Sequence, residues 1–207
     1  MIIGVLGFIG SGKGTVGDIL EQDHGFLKES FAKPVKDAVA PIFGWSRELL
    51  EGDTVQSRMF REQPDAYWSK KFGYDVTPRH ILQLMGTEAG RNVFHENLWV
   101  DSLEKRMSRD HNYVITDVRF PNEMDMIHSL GGKIVRVVRG EEPEWYSNAV
   151  TTNQIHAGKV QSLSKYPEVH YSEWAWVGHV VDYVIENNGS LEELKSQVET
   201  YLTITAK

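Results

Sequence analysis

The first fifteen residues constrain the fold more than any other stretch. Ile2 to Leu6 is an unbroken apolar run that reads as a short buried strand. It breaks into Gly7-Phe-Ile-Gly-Ser-Gly-Lys-Gly-Thr15, where Gly7 and the Gly12-Lys13 pair match the spacing of a phosphate loop. The pattern stands where its chemistry requires, after a strand and before helix-like sequence. Backbone N–H groups can wrap an anion closely only where no Cβ intervenes, which is the use of Gly10, Gly12 and Gly14 around Ser11. The start of the following helix adds partial positive charge. Lys13 supplies a full charge to the outer phosphates. The hydroxyl comes one place later than in the general pattern, at Thr15, because Gly14 follows the lysine.

With 207 residues, the chain has room for one domain and an inserted subdomain. Its apolar runs are far too short to cross a bilayer, and the first lacks the basic flank of a signal peptide. It has no cysteine, so a disulfide framework or thiolate zinc site is ruled out and a cytoplasmic setting is expected. A net charge of −7 argues against a polymeric nucleic-acid partner, but leaves room for a locally basic nucleotide pocket.

Further along, Pro34 suits the first turn of a helix whose face is Val35, Val39 and Ile42 and whose stop is Gly44. Lys33 and Lys36 lie near its start; a solvated face is the alternative for both. Residues 45–78 show no clean period and read as a helical segment and a loop within an insertion. Thr77-Pro78 opens a helix as N-cap and first residue. Arg79, Gln83 and Glu88 then fall at helical spacing along one side, followed by Arg91. Guanidinium groups suit phosphate, and an amide such as Gln83 can read a base edge; a plain amphipathic helix is the alternative. Tyr113 to Thr116 is a strong strand leading to Asp117 and Arg119. A carboxylate at a strand's C-terminal end stands where parallel sheets place ligands, although Asp117 could instead cap the next helix. Lys133 to Gly140 is another strand, with Arg139 at its end. Residues 141–178 are rich in Trp, Tyr, Asn, Thr and His without a sustained period, and read as a lid. Within them, His170 and Glu173 lack an evident third partner for a metal. A last strand, Val180 to Ile185, leads to an Asn187-Asn-Gly189 turn and a helix capped by Ser190 with Glu193. Strands alternating with helices predict a three-layer α/β/α fold of the P-loop NTPase type with a mainly parallel sheet. The expected organisation is one domain over 1–207, a helical acceptor-binding insertion at about 31–95 and a lid at about 141–178.

Several stretches together resemble the deoxynucleoside monophosphate kinases of tailed phages, within the P-loop kinases that include dephospho-CoA kinase. They are the Gly7–Thr15 loop, Phe31-Ala-Lys-Pro-Val-Lys-Asp37, Arg79-His-Ile-Leu-Gln-Leu-Met-Gly-Thr-Glu88, Ile115-Thr-Asp-Val-Arg-Phe-Pro-Asn-Glu123, His170-Tyr-Ser-Glu173 and Ile185-Glu-Asn-Asn-Gly-Ser-Leu-Glu-Glu-Leu194. The Gly-Lys-Gly-Thr form of the loop is similar to that of nucleoside monophosphate kinases rather than GTPases. The resemblance implies transfer of the γ-phosphoryl group of ATP to the 5′-phosphate of a deoxynucleoside monophosphate, with Mg2+. It carries the ATP site onto Gly10, Ser11, Gly12, Lys13, Gly14 and Thr15, with Arg139, Asn187 and Gly189 as further contacts. It carries the metal onto Thr15 and Asp117, the acceptor site onto Lys36, Arg79, Gln83, Glu88, Arg91 and Arg119, and catalysis onto Lys13, Asp117, Arg119 and Arg79. Two features depart from the family: Gly14 stands where many phage members carry Asp, and the lid is poor in arginine.

Small-molecule partners, no membrane, and a cytoplasmic location (the host's, if phage-encoded) follow from that resemblance; a homodimer stays open. A dephospho-CoA kinase or a nucleotide-binding regulatory protein without kinase activity are the alternatives.

Overall fold

The computed structural model describes residues 1–156 and 159–205. The chain opens with β1 (Ile2–Leu6), α1 (Lys13–His24) and β2 (Leu27–Glu29). A helical series follows: α2 (Lys33–Phe43), α3 (Val55–Glu62), α4 (Ala66–Phe72), α5 (Pro78–Gln83), a π-helical stretch at Leu84–Phe94 and α6 (Leu98–Arg106). The rest is β3 (Tyr113–Ile115), α7 (Pro121–Ser129), β4 (Lys133–Val138), α8 (Tyr146–His156), α9 (Tyr171–Trp174), β5 (Tyr183–Glu186) and α10 (Leu191–Thr205). Two units emerge, Met1–Glu29 with Ser108–Lys207, and Ser30–Met107.

The first unit carries a five-stranded sheet of order β2-β3-β1-β4-β5, every pairing parallel. Strands of such a sheet are covered on both faces, which is why β1, β3 and β4 are apolar runs rather than alternating ones. On one face Ile3, Val5, Val114, Val135 and Ile185 pack with Val16, Ile19 and Leu20 of α1 and Leu194, Val198 and Tyr201 of α10. On the other, α7 comes so close that a Cβ at Gly4 would lie 2.6 Å from the Ile127 side chain. Helices on both faces make the three layers the sequence predicts. β5 starts at Tyr183, three residues later than the valine run suggests, and Asp182 before it is held by several partners. Its carboxylate accepts from the Ile134 N–H at 2.8 Å, from Lys133 at 2.9 Å and meets His128 at 2.8 Å.

The described residues of the stretch 141–178 hold more structure than their aperiodic sequence suggests. Trp174, Ala175, Trp176 and Val177 are buried as a block, which leaves no stripe to read. The Asn153 amide on α8 donates to the carbonyls of Trp174, Ala175 and Val177 at 3.1, 3.3 and 2.8 Å.

The second unit is built on Val35, Val39, Leu50, Val76 and Ile81, with Phe43 and Trp68 against them. Its period was illegible because α3, α4 and α5 have only 8, 7 and 6 residues. Each starts on its own side-chain cap: Thr54 for Ser57 N–H, Asp65 for Trp68 N–H and Thr77 for His80 N–H.

The α-helical alignment expected of Arg79, Gln83 and Glu88 is not what the backbone adopts. α5 ends at Gln83 and eleven residues follow in π register, where such turns are ordinarily single. The Trp99 indole donates to the Gly86 carbonyl at 2.7 Å, and a Cβ at Gly90 would lie 2.5 Å from that ring. A bare glycine under an indole thus holds the wide turn.

Candidate active site

Three glycines of the Gly7–Thr15 loop adopt torsions that a side chain disfavours. Gly7, Gly10 and Gly12 have φ of 146°, 81° and 101°, outside the comfortable range of other residues. A Cβ at Gly7 would run into the Val137 carbonyl, and one at Gly12 into the Asn187 amide. Gly14 differs: its φ is ordinary and nothing lies within 4 Å of its Cβ position. The phage-type aspartate thus has room there.

Lys13 opens α1 and folds back over the loop, donating from Nζ to the carbonyls of Gly7 at 2.7 Å and Phe8 at 2.8 Å. Burial lowers its ammonium from the usual lysine range to about 8. The nearby Arg119 charge acts in the same direction, while Glu173 and Asp117 oppose it. The charges of Asp117, Arg119 and Glu173 thus all act on Lys13. Thr15 is exposed beside it, and Ser11 is buried within the loop.

Arg119 is fixed at its root and exposed at its tip. The buried Glu123 carboxylate accepts from the backbone N–H groups of Arg119 at 2.6 Å and Phe120 at 3.0 Å, which locks the turn into α7. The exposed guanidinium meets Glu173 at 3.1 Å.

The C-terminal turn also reaches the loop. Asn187 donates its side-chain amide to the Ser11 carbonyl at 2.8 Å, and Asn188 accepts from the Gly140 N–H at 2.7 Å. Gly189 has no room for a Cβ beside Glu193, whose carboxylate caps Ser190 N–H at 2.6 Å at the start of α10. Arg139, exposed just past β4, borders a cleft of about 170 Å3 with Phe8, Ile9, Ser11, Glu142 and Pro143.

The remaining candidates lie in the second unit. Arg79 pairs with Glu62, Lys36 with Glu51, and Arg91 donates to the Glu96 carbonyl at 3.1 Å. Gln83 is half-buried. Glu88, in the π-helical stretch, has one carboxylate oxygen buried without a hydrogen-bond partner.

Sequence reasoning missed two residues. Arg136 lies inside β4, its guanidinium 5.1 Å from the ring centres of Tyr146 and Trp176, hydrogen-bonded to Tyr146 Oη at 3.0 Å and paired with Glu142. Those two rings and Trp145 meet Phe8 of the loop: Trp176 at 4.9 Å, Trp145 at 5.2 Å and Tyr146 at 6.1 Å. An arginine within an apolar central strand was the available signal. Glu173 reads from the sequence as a metal ligand lacking a third partner and as the end of one stretch shared with the phage kinases. Among the described residues no group of three or more His, Cys, Asp or Glu could hold a metal, and His170 instead caps α9. No described helix is long and apolar enough to cross a membrane.

Magnesium calls for hard oxygen donors and keeps few protein ligands, the rest being water and phosphate oxygens. An exposed threonine hydroxyl at the start of α1 and a carboxylate beyond β3, near enough to act on Lys13, fit that demand.

Residues 50–163 match the model of the family described as deoxynucleotide monophosphate kinase. A protein of Acanthamoeba polyphaga mimivirus, assigned provisionally by name to the same kinases, is 32% identical over 96% of this chain and 94% of its own length. The deoxynucleoside-5′-monophosphate kinase of Escherichia phage T5 is 27% identical over 69% of this chain and 79% of its own. Among solved structures, shikimate kinase from Aquifex aeolicus vf5 aligns with a TM-score of 0.46 at 14% identity, over 100% of this chain and 98% of that one. More than half the chain fits the family model, and a relative above 30% identity spans nearly all of it. The chain belongs to the deoxynucleotide monophosphate kinase family.

Proposed function

We propose that this chain phosphorylates deoxynucleoside 5′-monophosphates to diphosphates with ATP, and that the Gly7–Thr15 loop, Lys13, Asp117 and Arg119 carry the transfer. The observation that supports it best is the glycine loop itself, with Lys13 folded back onto the Gly7 and Phe8 carbonyls and within reach of the Asp117 and Arg119 charges.

An acceptor phosphate is already largely ionised near neutral pH, so the reaction needs no strong base. Two polyanions must be set in line and their charge neutralised. Backbone N–H groups of Gly10 to Thr15 hold the donor phosphates. Lys13 leaves the Gly7 and Phe8 carbonyls for the outer phosphates, exchanging two neutral acceptors for an anion. Thr15 and Asp117 would hold Mg2+, which spreads the developing charge when bound. Arg119, with its backbone locked by Glu123, stabilises the phosphoryl group in transfer. Lys36, Arg79, Gln83, Glu88 and Arg91 are the acceptor-binding candidates of the second unit. Arg139 and the Asn187–Gly189 turn serve the nucleoside end of ATP. Residues 141–178 act as the lid, their rings closing on Phe8 so that water is excluded and hydrolysis disfavoured.

Coupled turnover with ATP across all deoxy- and ribonucleoside monophosphates, with dephospho-CoA alongside, tests this. Product from at least one deoxynucleoside monophosphate and none from dephospho-CoA is expected. The reverse would replace the reading with its alternative.

A further inference from the structure

The backbone of Arg119 is pinned by Glu123. Its guanidinium rests on Glu173, at 3.1 Å. We infer that Glu173 is a positioning residue of the anion site: its carboxylate occupies the place of a phosphoryl group on Arg119, and arriving phosphate must displace it. This rests on reading the loop as a phosphate site.

Three observations set Glu173 apart from an ordinary surface partner. It is carried on backbone that cannot drift. Trp174 next to it is fully buried, and Asn153 ties down the carbonyls of Trp174, Ala175 and Val177. His170 caps the start of the same helix. Second, Glu173 comes from a stretch 54 residues away from Arg119, so no local helical geometry forces the pair. Third, its charge reaches Lys13 as well as Arg119. A carboxylate paired with one cation of a phosphate site, whose charge also acts on the other, stands where an anion is wanted.

The two competing anions are unequal. Glu173 offers one negative charge and no chemistry. A terminal phosphate carries nearly two charges and three acceptor oxygens, so it wins the guanidinium once the loop has bound it. Until then Glu173 keeps Arg119 extended over the loop mouth. The benefit is a pre-aimed guanidinium; the cost is weaker binding of every phosphate ligand that uses Arg119. Exposed ion pairs correspond to roughly 1.5- to 5-fold in an equilibrium constant.

Calorimetric binding of inorganic pyrophosphate to the whole chain tests this without turnover. Glu173→Gln, which keeps the shape and removes the charge, is expected to bind pyrophosphate about three- to fivefold more tightly than wild type. In an Arg119→Gln background the same substitution is expected to give a clearly smaller gain, because no guanidinium remains to be released and only the charge acting on Lys13 is removed. Equal or weaker binding by Glu173→Gln overturns the inference. So does an equal gain in the Arg119→Gln background, which would mark a diffuse effect of charge. A wild-type chain that binds no pyrophosphate would remove the phosphate-loop reading itself, and this inference with it.

Discussion

The side-chain amide of Asn187 donates to the Ser11 carbonyl at 2.8 Å, joining residues 176 positions apart. The anion-binding loop at the start of the chain is thus shaped by a turn near its end. The same amide fills the space where a Cβ at Gly12 would stand. Asn187→Ala is expected to weaken ATP binding by about 1 kcal/mol, roughly fivefold, while the circular dichroism spectrum stays the same. Wild-type affinity by calorimetry would mean that the loop keeps its shape unaided.

Two glycines of one loop should respond in opposite ways. Gly12 combines φ of 101° with a blocked Cβ position, whereas Gly14 has an ordinary φ and open space. Gly12→Ala is expected to lower ATP affinity by more than about tenfold, the cost of strain and of pushing Asn187 aside. Gly14→Ala keeps the N–H and should change it by less than about twofold, since Ala fits that conformation. Equal losses in an ATP titration would contradict the assignment of strain to Gly12.

Lys13 gives the binding a pH signature. Burial holds its ammonium at about 8, so the free chain loses this charge as pH rises through that value. A bound triphosphate favours the ammonium and raises its pKa, so binding takes up a proton above about pH 8. ATP affinity should fall by up to about tenfold per pH unit from about pH 8 towards 10. A flat profile in Lys13→Met, which has nothing to titrate there, is the control. A flat wild-type profile would contradict the buried, lowered amine.

Asp182 gives stability an acid limit. Burial alone would push its carboxyl up; the Ile134 N–H, His128 and Lys133 together outweigh that and bring it to about 2. A depressed carboxylate stabilises the fold above its unfolded value, near 4, and this stabilisation is lost as pH falls through about 2. Discounted for solvent screening, about 1 kcal/mol is at stake. Asp182→Asn should lower Tm at neutral pH by about 2–4 °C, with a smaller difference at pH near 2. A constant difference across that range in thermal melts would place the effect elsewhere.

The sequence made the sheet and the loop legible, because both depend on local pattern. β1, β3 and β4 are apolar runs, and Gly7–Thr15 has a spacing few other structures need. The caps at Thr77 and Ser190 could be read for the same reason. What stayed hidden depends on distant partners. Asn187 looked like a turn residue until Ser11 lay beside it. Arg136 needed the rings of Tyr146 and Trp176, and Glu173 needed Arg119. Leu84–Phe94 misled because a π register follows from the Trp99–Gly86 contact, not from propensity. The block Trp174–Val177 buries every side, so no period marked it.

The central claim is that Lys13 and its loop bring ATP to a deoxynucleoside monophosphate. Steady-state formation of deoxynucleoside diphosphate by wild type and Lys13→Met, with the melting curve of each, tests it most directly. The account predicts turnover in wild type and a loss of at least about a hundredfold in kcat for a Lys13→Met chain that melts like wild type. A folded Lys13→Met chain that works at the wild-type rate would contradict it.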